Sequence, residues 1–256
     1  MTLDEIADAL VAARQAGRSL EAFPGGAPAT LADAYALQEL ALAKTGEAVV
    51  GWKVGMVRPE FRESFGTTRW PGPVRESGLK TRDGVGEIAV VAGGFAAVEA
   101  ELAVRLGRDA DTPEDAIRAI DACHVAIEVL GSPVANLGAA GPGAPIGDLG
   151  GNAGLVIGVS IGDPAQLFEP EKLTSRMLID GEVVGEGHAG KLPGGPLESV
   201  QFLVGQLAER GRTLKAGDWI TTGATTGAHL IAPGQTARAE FGAFTVEVAI
   251  VAAPVS

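Results

Sequence analysis

Residues 96 to 109 read AAVEAELAVRLGRD. Small and branched apolar residues dominate the run, as in a strand set inside a core. Yet Glu99 and Glu101 interrupt it two positions apart. Side chains at i and i+2 of a strand leave the same face. The two carboxylates are therefore held side by side, and each raises the cost of ionising the other. A second apolar strand repeats the anomaly: HVAIEVLG, 124 to 131, carries Glu128 between Ile127 and Val129. Three acids on apolar strands are expensive to bury as ions unless a cation neutralises them. An all-oxygen set suits a hard divalent ion such as Mg²⁺, Mn²⁺ or Ca²⁺ better than zinc. Three carboxylates fill half an octahedron and leave positions open for water or substrate, which suits Lewis-acid catalysis. The competing reading is a solvated strand face, where acid pairs at this spacing are common.

Around this core the chain divides by its periodicity. Thr2 and Glu5 form a capping-box pattern before an amphipathic run to about Gly17. Thr30 caps a second helix, LADAYALQELALAKTG, with Gly46 placed to end it. VVGWKVGMV, 49 to 57, then reads as a strand whose glycines allow close approach. FGTTRWPGPVRESG, 65 to 78, is expected to be an ordered lid or crossing segment. Strands are expected at 86–92, 95–106, 123–130, 153–160, 175–185, 217–222 and 236–252, with helices at 112–122 and 196–211. The expected organisation is a helical N-terminal region, 1–75, and a β-rich catalytic domain, 76–256.

Composition narrows the function classes. A formal charge of −12 with no basic stripe argues against nucleic acid. The apolar run from Ile88 to Val98 is too short to span a bilayer. MTLDEIADAL is acidic and amphipathic and does not read as a signal peptide. One cysteine, Cys123, allows no internal disulfide. A cytoplasmic protein is expected. GEGHAG, 185 to 190, matches a dinucleotide glycine pattern, but KLPGGP follows it where a phosphate-binding helix is needed, so a plain turn is expected. Lys53 in GWKVG could reach a substrate carboxylate or move a proton. By itself it reads better as an exposed edge-strand charge.

Taken in order, GWKVGM, VEAELAVRLGRD, AIEVLGS, GDLGGNAGLVIG, GGPLESVQFL and LKAGDWITTGATTG resemble a known series. They resemble the 2-hydroxypentadienoate (2-keto-4-pentenoate) hydratase and 4-oxalocrotonate decarboxylase branch of the fumarylacetoacetate hydrolase superfamily, over nearly the whole chain. The resemblance implies an α+β fold: a mixed, rolled β-sandwich core with a small helical N-terminal region. It implies Mg²⁺ or Mn²⁺ held by Glu99, Glu101 and Glu128, and a short 2-oxo acid substrate that chelates the ion. It assigns Lys53 to substrate contact and proton transfer, Asp148 to a catalytic acidic position, and Thr222, Gly223 and Thr226 to a loop beside the substrate. His188 has no counterpart and is expected in a turn. The implied activity is metal-dependent water addition through a stabilised enolate. The alternatives are decarboxylation, acylpyruvate carbon–carbon hydrolysis, or a non-catalytic partner subunit that keeps the metal site. A homo-oligomer built on dimers, able to associate with a related enzyme of the same pathway, is also implied.

The pattern breaks at Leu149, Gly151, Gly131, Pro133, Gly195 and Ala224, where the family usually carries other, mostly polar residues. The metal end is intact and its polar surroundings are pared down. These departures predict a substrate bulkier or less polar than 2-hydroxypentadienoate.

Overall fold

The computed structural model describes residues 1–81 and 85–255. Two helices open the chain, α1 (Leu3–Gln15) and α2 (Leu31–Thr45). Thr2 and Glu5 close the capping box, and Gly46 ends α2 in the left-handed conformation at φ 68°. Then follow β1 (Val49–Met56), α3 (Arg62–Phe65), β2 (Arg69–Arg75), β3 (Leu79–Thr81), β4 (Val85–Val90) and β5 (Phe95–Leu106). The middle of the chain supplies α4 (Pro113–Ala119), β6 (Ile120–Ser132), α5 (Gly143–Gly147), β7 (Asn152–Gly162), β8 (Thr174–Ile179) and β9 (Glu182–His188). The last elements are α6 (Gly195–Glu209), β10 (Trp219–Thr221), β11 (Ala228–Leu230), β12 (Thr236–Phe241) and β13 (Phe244–Ala252).

The strands form two mixed sheets. The larger runs β2-β1-β10-β5-β6-β7-β3, with β11 added beside β5, and the smaller runs β4-β13-β12-β8-β9. Most neighbours are antiparallel, but β1–β10, β3–β7 and β4–β13 are parallel. Alternation along β5 decides what each face does. Val98, Ala100, Leu102 and Val104 join Val125, Ile127 and Val129 of β6 in a core shared with Val246, Val248 and Ile250 of the smaller sheet. The opposite face of the large sheet is also buried, by Ala103, Ala126, Leu155, Ile157, Val74 and Trp219, all from that same sheet. The sheet therefore curls on itself. Near the two ends of its strand order, β2 meets β7 where Arg75 Nη2 donates to the Asn152 carbonyl at 3.3 Å. A third cluster sets α1 and α2 against Val134, Leu137, Ala144 and Leu149, so the helices pack on the β6–β7 connection.

Four sequence expectations are corrected. The 65–78 segment is not a lid: it contains β2, a fully buried strand. Pro71 and Pro73 cannot donate to a ladder, and β2 tolerates them because it pairs with β1 alone at the sheet's edge. The 175–185 run is the start of a hairpin, β8–β9, turning at Asp180 and Gly181, whose φ values of 50° and 87° are those a two-residue turn of this type demands. The 236–252 run is likewise a hairpin, β12–β13, turning at Gly242–Ala243. GEGH is no turn, because Gly185 to His188 form the end of β9 and pair with β8.

Candidate metal and substrate site

The large sheet brings the three acids together. Glu99 on β5 stands opposite Glu128 on β6, and Glu101 lies two residues along the same face, opposite Ala126. One carboxylate oxygen from each residue lies within 4.8 Å of the others. Glu101 and Glu128 are fully buried, and Glu99 is partly open to a cavity. Burial, increased by the negative charge of Glu128, pushes the Glu99 carboxyl up to about 7. Burial, with Glu128 and Glu99 beside it, holds Glu101 well above the usual carboxylate range. The cluster resists carrying three negative charges without a counter-ion.

Hydrogen bonds then orient two of the acids. Gly223 N–H donates to Glu101 Oε2 at 2.7 Å, and Asn152 Nδ2 donates to Glu128 Oε1 at 2.9 Å. The second oxygens, Glu101 Oε1 and Glu128 Oε2, are buried and have no hydrogen-bond partner among the described residues. Each residue thus has one oxygen tied by the protein and one left free. Unpartnered buried carboxylate oxygens are costly, and a hard divalent cation is the ligand that suits such a pair beside Glu99. The donor set fits such an ion.

Lys53 projects from β1 into the same neighbourhood, 3.7 Å from Glu128 Oε1 and almost fully buried. Its Nζ sits 3.8 Å from the centre of the Trp70 ring on β2. That ring can lie so low because position 55 is glycine. A Cβ there would come within 2.5 Å of the indole. Lys53, Glu99 and Trp70 border a cavity of about 430 Å³.

The other expected site residues divide. Thr222 is buried, and its N–H and hydroxyl both donate to the Leu102 carbonyl. Thr226 Oγ1 lies 3.3 Å from His229 Nε2. Their loop reaches the cavity through Ala224 and Gly227 instead. Asp148 is buried away from the cavity lining and pairs with Arg14 at 2.9 Å. The next residues, Gly150 and Gly151, do line the cavity. Of the six departures from the family pattern, Gly151 and Ala224 are in its wall and the other four are not. Sequence reading missed Asn152 and Trp70. Asn152 stood in a quoted motif without a role, and Trp70 lay inside the supposed lid.

Residues 80–251 match the family model described as fumarylacetoacetate (FAA) hydrolase C-terminal. The chain belongs to the fumarylacetoacetate hydrolase family. Within this family, it is 26% identical over 250 residues to a 4-oxalocrotonate decarboxylase of a Pseudomonas species, covering 94% of each chain. It is 29% identical over 225 residues to a 2-keto-4-pentenoate hydratase of Burkholderia vietnamiensis, covering 83% of each. The solved structure of 4-oxalocrotonate decarboxylase from Pseudomonas putida G7, complexed with magnesium and adipate, superposes with a TM-score of 0.78 at 24% identity, over 97% of both chains. The likeness in fold to that structure covers the N-terminal helices as well as the β-rich part.

Proposed function

We propose that the chain is a divalent-metal-dependent lyase acting on a short 2-oxo or 2-hydroxy-dienoic acid, with 2-keto-4-pentenoate hydratase-like water addition as its first reading. The observation that carries this is the pair of untied buried oxygens, Glu101 Oε1 and Glu128 Oε2, beside Glu99 at the cavity wall. Glu99, Glu101 and Glu128 would hold Mg²⁺ or Mn²⁺. When bound, the ion supplies Lewis-acid stabilisation of negative charge on the substrate's 2-oxygen. Lys53 sets an N–H donor at the cavity wall, in position to contact the acid and move a proton. Gly223 and Asn152 hold two of the carboxylates in orientation. Asp148, tied to Arg14, anchors the turn that carries Gly150 and Gly151 into the wall, and Thr222 fixes the loop that carries Ala224. A cytoplasmic homo-oligomer built on dimers, able to associate with a related enzyme of its pathway, completes the reading.

A second reading, 4-oxalocrotonate-type decarboxylation, is favoured by one feature. Apart from Lys53, Glu99 and Arg58, the cavity lining among the described residues carries no hydroxyl, amide or acidic side chain to hold an attacking water. Both reactions develop charge on the same oxygen. Incubating the protein with Mg²⁺ or Mn²⁺ and either 2-hydroxypenta-2,4-dienoate or 4-oxalocrotonate, followed by product NMR, separates them. Turnover of at least one acid, lost on chelation by EDTA, is expected. Turnover that survives full metal removal overturns the lyase reading.

A further inference from the structure

The wall of the cavity changes character along the strands that carry the acids. On β5 the face that presents Glu99 continues through Ala97 to Phe95, and on β6 the face of Glu128 continues to Leu130. Leu130 pairs with Ala97, so the two strands lay an apolar floor directly beyond the carboxylates. From Glu99 to Phe95 is four residues, roughly 13 Å of strand. Leu137, Pro142 and Pro145 of the β6–β7 connection and Met56 of β1 line the same cavity. Trp70 walls the end beside Lys53. The remaining charged residue of the lining, Arg58, is more than half exposed. It is already engaged by Glu60 at 3.5 Å and by the Gly138 carbonyl at 3.3 Å. At about 430 Å³ the cavity has the size of a site for ligands well beyond a five-carbon acid.

Resting on the lyase reading above, we infer that the Phe95–Leu130 trench is a subsite for an uncharged apolar tail, and that the substrate is a 2-oxo acid extended by several carbons beyond its chelating end. Among the described residues of the lining, the one cation at that end is Arg58, so a second carboxylate there gains a partner only by drawing Arg58 in from solvent and away from Glu60 and the Gly138 carbonyl. Burying it there without that partner is unfavourable for the reason that any unpaired ion is. A methylene chain or an aryl group gains the full benefit of leaving water, about fourfold in affinity for each buried methylene.

Calorimetry on the Mg²⁺-loaded protein tests this with oxalate, 2-oxobutanoate, 2-oxohexanoate, 2-oxooctanoate and the dicarboxylate 2-oxoadipate. Affinity should rise about sixteenfold from 2-oxobutanoate to 2-oxohexanoate, the per-methylene factor taken twice. 2-Oxoadipate should bind at least about tenfold more weakly than 2-oxohexanoate. Leu130→Asn, checked for folding by circular dichroism, should flatten the length series. A flat series in the unaltered protein, or preference for 2-oxoadipate, overturns the apolar subsite while leaving the lyase reading standing. Oxalate binding that is absent, or unchanged without Mg²⁺, overturns both.

Discussion

Glu99 and Glu128 face each other directly across the β5–β6 ladder, in a stretch whose register runs unbroken from Phe95 to Arg105. The face that holds the acids is therefore set by backbone pairing, with no loop intervening between them. A one-residue slip of β5 would turn Glu99 and Glu101 into the apolar core behind the sheet and leave Glu128 alone on its face.

Glu101 contributes one free oxygen to this face and is held from behind by Gly223. Glu101→Ala removes that ligand and leaves Glu99 and Glu128 unable to form a three-point set. Mg²⁺ affinity should fall more than about 100-fold, beyond what loss of a supporting group costs. Titration calorimetry reads this directly, and affinity within tenfold of the unaltered protein would place the ion elsewhere.

The same acids set a pH dependence. An isolated glutamate titrates near 4.5, and Glu99 in the folded protein near 7. Between these values the unfolded chain has released a proton that the folded chain keeps. Stability of the metal-free protein therefore falls as pH rises from about 5 to about 7. The expected loss in Tm is on the order of 5–10 °C for a chain of this size. Saturating Mg²⁺ binds the deprotonated carboxylates, so its stabilising effect grows over the same interval. Thermal melts at pH 5 and 7.5, with and without Mg²⁺, check both signs, and an equal gain at the two pH values contradicts the assignment.

Lys53 touches Glu128 only at 3.7 Å, on the carboxylate oxygen that Asn152 already binds. Lys53→Ala should therefore change Mg²⁺ affinity little while lowering kcat by about 10² to 10⁴-fold, the range for loss of a proton-transfer group. If the substitution unfolded the protein and a Lys53→Met variant restored both fold and turnover, the lysine would be structural.

Arg14 and Asp148 form an ion pair of a different kind. Asp148 is 1% exposed, and its second oxygen has no partner among the described residues. Arg14→Ala leaves that charge buried and alone, which should cost about 3–5 kcal/mol in urea unfolding. Replacing both residues with Leu or Met should recover much of the loss. A cost below about 1 kcal/mol for the single variant would mean that solvent reaches Asp148.

Part of this site is legible in the sequence itself. Glu99 and Glu101 share a face because strand periodicity is local, whereas the placing of Glu128 opposite Glu99 is a matter of β5–β6 register, which spacing alone leaves open beside a solvated face. The capping residues Thr2, Thr30 and Gly46 were equally legible, since each signal lies within four residues of the element it ends. What escaped depends on contacts distant in sequence. Nothing around Asp148 reveals that its partner is Arg14, 134 residues earlier. Proline content disguised β2, because edge position is a property of the whole sheet. The hairpin at Asp180 and Gly181 is of the legible kind, since an Asp-Gly pair between two apolar runs is a local turn signal.

The curl of the large sheet has a further consequence. Glu99, Glu101 and Glu128 sit on long central strands, whereas Leu137, Gly151 and Ala224 come from connecting segments on either side. Part of the cavity wall is thereby written on the connections, while Phe95 and Leu130 share the strands of the acids. Descendants of such a molecule can rewrite the connections, one side chain at a time, and inherit the same three-carboxylate face unchanged.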